Sequence, residues 1–237
     1  MKNIYDPKFV EGLFDNMSSS YSRMNYITSF GFSERWRRQC VAEISIQKGK
    51  TVVDLMCGMG ECWKHILKSS DEGSKLIGVD FSTEMVRRAE QNKTKFNNSA
   101  ITIFKENVFG NSIEDQVADF VISGFGLKTF DNKQLKNLAG EIDRILKPDG
   151  RFSLIDVSVP KNRLLQWFYM FYLKNIIPVL GKLFLGNPET YKMLGIYTQE
   201  FGNSENVYRI FAQSGFEVEY VEYFYGCASG IKGRKIR

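Results

Sequence analysis

The chain of 237 residues is poor in the side chains that build metal and disulfide sites: it has 1 histidine, His65, and 4 cysteines, Cys40, Cys57, Cys62 and Cys227. With no CxxC pair, a zinc site is disfavoured, and the cysteines read as reduced thiols of a cytoplasmic protein. Proline is scarce at 5 residues, and 43% hydrophobic with 25% charged residues excludes collagen-like and disordered chains. An excess of one charge sign is lacking too. The 32 basic and 27 acidic residues give +5, too small and dispersed for a nucleic-acid partner, while attraction to anionic membrane surfaces stays open. Met1 to Asp15 interleaves Lys2, Asp6, Lys8 and Glu11 with apolar residues, unlike a signal peptide. The greasiest stretch, Leu164 to Leu185, holds Lys174, Pro178, Gly181 and Lys182. Its longest unbroken run, Trp167 to Leu173, falls far short of the roughly 18–20 residues that a membrane span needs.

What is present is alternation. Short apolar runs at Thr51–Met56, Lys75–Val79, Ile101–Phe104, Ala118–Ser123 and Arg151–Asp156 are separated by helix-like stretches, the pattern of βαβ units around a parallel sheet. Thr83 to Phe96 reads as a helix capped by Ser82, and Asp131 to Leu146 as another, with Leu135, Leu138, Ile142 and Ile145 at helical spacing. A further helix, Ser204 to Ser214, precedes extended runs at Phe216–Tyr220 and Tyr223–Ala228, and the basic Lys232–Arg237 reads as a frayed end. Two regions stand outside the alternation. Residues 1–45 read as two helices and a turn, a cap; Pro160 to Phe201 reads as an aromatic-rich helical insertion after the fifth strand, a lid. The expected fold is therefore α/β and Rossmann-like, a doubly wound, mostly parallel sheet in a single domain over 1–237.

The strongest local pattern is Val53-Asp-Leu-Met-Cys-Gly-Met-Gly-Glu61, an apolar strand running into a Gly-x-Gly turn before a helix. Gly58 and Gly60 remove side chains where backbone must approach a ligand, and the helix start beyond offers free N–H groups. Asp80 closes the second apolar run, at the offset where a carboxylate accepts bonds from ribose hydroxyls. A plain structural turn and a solvent-facing acid fit the same residues. A dinucleotide site would want a small residue at 63, where this chain has Trp63, so the pattern favours an adenosine ligand without pyrophosphate. His65, in the helix after the turn, reads as a packing or surface residue, and Cys57 and Cys62 as small packing residues.

These residues resemble the class I S-adenosylmethionine-dependent methyltransferases through Asp54-Leu-Met-Cys-Gly-Met-Gly60, Gly78-Val-Asp80-Phe-Ser and Leu146-Lys-Pro-Asp-Gly150. Over nearly the whole chain they resemble, more narrowly, the C-methyltransferases of ubiquinone and menaquinone biosynthesis. The narrower resemblance lies in Phe14, Tyr21, Met24 and Asn25, Ser29-Phe-Gly31, Trp36-Arg37, Phe125-Gly-Leu127, Ile177-Pro-Val-Leu-Gly181, Tyr191 and the segment Gly226 to Gly233. It implies a seven-stranded sheet and S-adenosylmethionine as cofactor. It also implies cofactor contacts at Asp54, Gly58, Met59, Gly60, Asp80, Phe81, Asn107, Val108 and Gly124, the last beside the methionine portion or the reacting methyl. Met59 departs from the family's usual threonine, and Lys128-Thr129 stands where the family has Arg-Asn. Ile231-Lys232-Gly233 stands where the family has His-Arg-Gly.

In such enzymes the arginine is thought to help deprotonate or orient the quinol; lysine is a point charge without the planar fork. A phenol ionises near pH 10 and must lose its proton to push density into the ring, which makes Lys128 the expected phenolate-stabilising cation, with Tyr21 or a relayed water sharing the proton. The implied activity is C-methylation of a reduced, prenylated benzoquinol or naphthoquinol. Three alternatives stay open: methylation of another lipophilic phenol or specialised metabolite, rhodoquinone formation, or a non-catalytic quinone-binding subunit. The implied partner is a lipophilic quinol, with peripheral membrane contact and an oligomer both open and no metal expected. The aromatic run Trp167–Leu173 reads equally as core or as part of a greasy substrate roof, with Lys161, Arg163, Lys174 and Lys182 at its rim.

Overall fold

The computed structural model describes residues 3–18, 21–69, 73–96, 100–184 and 188–236, with the side chains of all of these except 21–24, 183, 184, 188 and 189. Three helices open the chain: α1 (Pro7–Met17), α2 (Tyr21–Thr28) and α3 (Phe32–Ala42). Pro7 starts α1 where its missing N–H costs nothing, and Asp6 caps it by accepting from the amides of Lys8 and Phe9. The single first helix expected here is thus described as two, α1 and α2.

The alternating region follows: β1 (Thr51–Leu55), α4 (Trp63–Ser69), β2 (Lys75–Asp80), α5 (Thr83–Lys93), β3 (Ile101–Lys105), β4 (Ala118–Gly124), α6 (Asn132–Ile145) and β5 (Leu146–Val157). Ser82 caps α5 as expected, and Asp131 and Gln134 close a reciprocal capping box on α6. After β5 comes the inserted helical segment, α7 (Arg163–Phe171), α8 (Ile177–Phe184) and α9 (Pro188–Phe201), then α10 (Glu205–Gln213), β6 (Phe216–Tyr223) and β7 (Ala228–Lys235). Between α7 and α8 the chain widens into a π turn at Tyr172–Ile176. Pro178 cannot bond back to the carbonyl four residues earlier, and the wider turn accommodates that loss. Gly181 lets α9 approach: a Cβ there would lie 2.5 Å from the Tyr191 ring.

One seven-stranded sheet runs β3-β2-β1-β4-β5-β7-β6, with β1 to β5 parallel and β7 antiparallel to both neighbours. This is the expected doubly wound, mostly parallel sheet. Its two faces carry separate cores. Leu138, Ile142, Val207 and Phe211 of α6 and α10 cover one, and Trp36, Val41, Trp63 and Ile66 of α3 and α4 cover the other.

The C-terminal end departs from expectation. The run read as a strand at Tyr223–Ala228 is broken by a 3-10 turn at Phe224–Gly226, and the basic tail read as frayed supplies the second half of β7 through Lys235. It is ordered by pairs that lie far apart in sequence: Arg234 faces Glu217 with a 2.6 Å contact, and Lys232 faces Glu219 at 3.4 Å. Its glycines mark close backbone approach in the sheet interior rather than a turn, since a Cβ at Gly230 would sit 2.2 Å from the Leu154 carbonyl oxygen.

Candidate active site at the carboxyl ends of the strands

Strand order reverses between β1 and β4, so the crevice beyond their carboxyl ends is where such a sheet takes its ligand. A cleft with an empty volume of about 890 Å³ opens there. Its floor is the turn after β1. Gly58 has φ +56, and its amide donates to Asp80 Oδ2 at 2.8 Å, while Ser82 N–H donates to Asp80 Oδ1 at 3.0 Å. Two backbone donors thus hold the Asp80 carboxylate at the end of β2, with lone pairs left for ligand hydroxyls. Burial pushes its pKa up to about 6 against the pull of those amides.

Asp54, the penultimate residue of β1, is more exceptional. It is 1% exposed, lines the cleft, and neither carboxylate oxygen has a hydrogen-bond partner. Burial, and then the nearby Glu61 charge, holds its carboxyl well above the usual range. A buried carboxylate without a partner is costly, and a ligand donor reaching it would remove that cost.

Of the residues expected at a cofactor, Asp54, Gly58, Asp80, Phe81, Asn107, Val108 and Gly124 line this cleft together. Asn107 does so with its side-chain oxygen committed to the Phe109 amide at 2.9 Å, and Gly124 closes β4 where a Cβ would press on the Cys62 sulfur at 3.2 Å. Met59 and Gly60 are not among the lining residues. Met59 is buried with its carbonyl accepting from Asn92 of α5. Gly60, at φ +82, makes room for an indole rather than a ligand: its Cβ would fall 2.4 Å from the Trp63 ring. A Cβ on Gly78 would come within 2.9 Å of the same ring, so two glycines accommodate one fully buried tryptophan. His65 bonds Glu34 of α3 at 2.6 Å and ties α4 to the cap, a packing role. Burial lowers its pKa.

Sequence reasoning gave no role to several residues of the cleft. From α1 come Pro7, Val10 and Phe14, and from just ahead of it Tyr5, as a roof. Asp15 latches that roof to the sheet, its Oδ1 accepting from Ser82 Oγ at 2.6 Å and from the Glu84 amide at 3.0 Å. Arg37 of α3 is 5% exposed, lies 3.9 Å from Glu61, and has its guanidinium 4.8 Å from the Phe125 ring centroid. Its signal was present: Ser33, Trp36, Arg37 and Cys40 follow i, i+3, i+4, i+7, so a charged residue sits in the buried register.

A second, larger cavity of about 1440 Å³ lies beneath α2, the α2–α3 turn and the inserted helices. Phe14, Phe125 and Thr129 line both cavities, and the walls of the second are almost wholly apolar, Met17, Trp36, Leu165, Phe168, Leu173 and Ile177 among them. Phe125 forms the partition. Its backbone is left-handed at φ +73, an uncommon state for a bulky residue and the kind of strain that gathers at functional sites. Lys128 lines the second cavity, 6% exposed, with its ammonium donating to the Phe125 carbonyl at 2.6 Å and to Asp156 Oδ1 at 2.9 Å. Asp156 is fully buried and also accepts from the amides of Lys128 and Val157. Tyr21 begins α2, and its side chain lies outside the described residues.

A seven-stranded sheet of this order, with a glycine turn after β1 and an acid closing β2, defines the class I methyltransferase fold. The chain superposes on a SAM-dependent methyltransferase from Aquifex aeolicus with a TM-score of 0.60 at 18% identity, covering 84% of this chain and 89% of that one. It also superposes on phosphoethanolamine N-methyltransferase 2 of Haemonchus contortus with a TM-score of 0.61 at 15% identity, covering 93% and 60%. A profile of the ubiE/COQ5 methyltransferase family matches residues 1–235, and the chain belongs to that family. It is 31% identical over 228 residues to a demethylmenaquinone methyltransferase of Lactiplantibacillus plantarum, covering 95% of each. It is 30% identical over 217 residues to one of Staphylococcus saprophyticus, covering 92% and 91%. It is an S-adenosylmethionine-dependent methyltransferase. The cleft suits that cofactor, since Glu61, Asp80 and Glu106 outnumber Arg37 and make the lining acidic toward a ligand carrying positive charge.

Proposed function

We propose that the enzyme methylates a ring carbon of a reduced, prenylated quinol, a demethylated naphthoquinol foremost. The observation that carries this reading is the pair of adjoining cavities: an acidic cleft at the glycine turn and a larger greasy one, whose walls share Phe14, Phe125 and Thr129. The relatives named demethylmenaquinone methyltransferase favour the naphthoquinol. S-adenosylmethionine supplies a methyl already activated on a sulfonium. Asp80 accepts the ribose hydroxyls, Gly58 and Gly124 let the ligand lie against backbone, and Asp54 offers its unpartnered oxygens to a donor at the methionine end. Phe81, Asn107 and Val108 flank the base. Met59 and Gly60 shape the turn from behind.

On the substrate side, Lys128 holds negative charge on the quinol oxygen as its proton leaves to water, and Tyr21 shares in that proton's departure. Density pushed into the ring makes the carbon nucleophilic; once it has taken the methyl, its ring hydrogen leaves as a proton, which returns the electron pair to the ring and restores the quinol. The chain acts as one domain, with residues 1–45 as cap and 160–201 as lid.

The cap, the lid and the turn between β6 and β7 also carry exposed aromatics near the greasy cavity: Phe30 is 80% exposed, Trp167 61% and Tyr225 79%. Phe168 and Phe224 join them, and Arg163 and Lys174 lie in the same helical segment as Phe168. No helix among the described residues is long and apolar enough to cross a membrane. A cytoplasmic enzyme touching the bilayer through this collar would draw its prenylated substrate laterally.

The test is kcat/KM on chemically reduced demethylnaphthoquinols with and without a prenyl tail. A rise of at least tenfold with the tail is expected, and equal use of the tail-free ring would overturn the greasy cavity's role.

A further inference from the structure

Lys128 faces the greasy cavity with its charge already shared: Asp156 lies 2.9 Å away and is fully buried. A paired ammonium stabilises a developing oxyanion less than a lone one, and at least one further donor is expected where charge develops. The hydroxyls lining this cavity differ in how firmly they are held. Thr129 Oγ1 donates to the Gly126 carbonyl at 2.7 Å and Tyr172 Oη to the Thr28 carbonyl at 2.8 Å, both near ideal length. Tyr169 Oη reaches its acceptor, the Cys227 carbonyl, only at 3.3 Å. Its ring, on α7, is half-buried with the hydroxyl end inward, against the carboxyl end of β5 where Val157 and Asp156 lie. Burial, with the Cys227 thiol, Asp156 and Tyr172 around it, holds the Tyr169 phenol well above its ordinary range, so it stays a neutral donor at any working pH.

The geometry points to Tyr169 as a catalytic residue: released from its long bond to Cys227, its hydroxyl donates to the same quinol oxygen that Lys128 faces, so that the lid completes the oxyanion site. This rests on the quinol reading above. No proton is transferred by Tyr169; it lends a hydrogen bond that strengthens as the substrate oxygen gains charge. The consequence is that chemistry requires α7 to be docked, since Lys128, in the 3-10 turn after β4, supplies only one of the two donors.

The test uses the full-length enzyme saturated with S-adenosylhomocysteine and a nitrated 1-naphthol whose anion absorbs in the visible, titrated with pH. Wild type is expected to raise the bound probe's ionisation constant, and Lys128→Met to abolish most of that rise. Tyr169→Phe is expected to lose about tenfold of it, with affinity for S-adenosylhomocysteine and the melting temperature unchanged. Tyr169→Phe behaving as wild type in this titration, while Lys128→Met does not, would overturn the role of Tyr169 and leave the quinol reading standing. A wild type that binds the probe without shifting its ionisation, or does not bind it, would overturn both.

Discussion

Lys128 sits in the 3-10 turn after β4 with two of its three ammonium hydrogens committed, to Asp156 and to the Phe125 carbonyl, and it lines the greasy cavity. Lys128→Met should therefore cut turnover by roughly 10- to 100-fold while S-adenosylhomocysteine affinity, measured by calorimetry, stays within about twofold. Because that variant strands the buried Asp156, Lys128→Arg should restore part of the turnover, whereas a loss of cofactor affinity in either variant would contradict the assignment. At Asp80 the prediction concerns pH. Its carboxyl, raised to about 6, accepts ribose hydroxyls best once ionised, so S-adenosylhomocysteine affinity should climb as pH rises through about 6. In stability the sign is opposite: a group whose folded pKa lies above its unfolded value of 3.8 holds its proton longer when folded, and its contribution falls across that same interval as pH rises. Asp80→Asn should bind weakly and without the pH dependence.

Among elements, the glycine turn separates two roles that the Gly-x-Gly spacing merges. Gly60→Ala forces a Cβ to 2.4 Å from a fully buried indole at φ +82 and should cost about 3 kcal/mol or more of stability in urea unfolding. Gly58→Ala, left-handed at φ +56, costs about 1 kcal/mol of backbone strain but meets only the end of Glu61, so it should cost less stability than Gly60→Ala and also weaken cofactor binding, because Gly58 lines the cleft. The α1 roof should depend on its latch. Asp15→Ala removes the carboxylate that accepts from Ser82 and Glu84 at the start of α5, costing about 1 kcal/mol, and should speed release of S-adenosylhomocysteine in stopped-flow measurements. The elements that local pattern revealed, β1 to β5, α5 and α6, are those whose apolar period is carried by their own residues. The strand β7 was hidden because what orders it, Glu217 against Arg234 and Glu219 against Lys232, spans a turn and looks locally like a soluble basic tail. The roof over the cleft was hidden for the same reason: nothing local to Tyr5 or Asp15 announces that they meet α5 and α6. Asp54, Asp80 and Gly58 were legible as a strand–turn–helix motif, whereas Arg37 needed its register on α3 to be read against its neighbours.

At the scale of the molecule, the sheet divides labour between its two covered faces and its carboxyl edge, where the two cavities share Phe125, the first roofed by α1 and the second lined by the N-terminal and inserted helices. The exposed aromatics near the greasy cavity set up a further expectation: Trp167→Ser, at a position outside the cavity lining, should weaken flotation with anionic vesicles severalfold while leaving turnover on a water-soluble short-tail quinol intact. The central claim, that the adjoining cavities bring a methyl to a quinol ring carbon, is tested most directly by locating the transferred label. The enzyme is incubated with methyl-labelled S-adenosylmethionine and short-chain demethylnaphthoquinol kept reduced, and the product is fragmented in the mass spectrometer. The account predicts one labelled methyl retained on the ring carbon; label on oxygen, or an unmodified quinol despite tight cofactor binding, would contradict it.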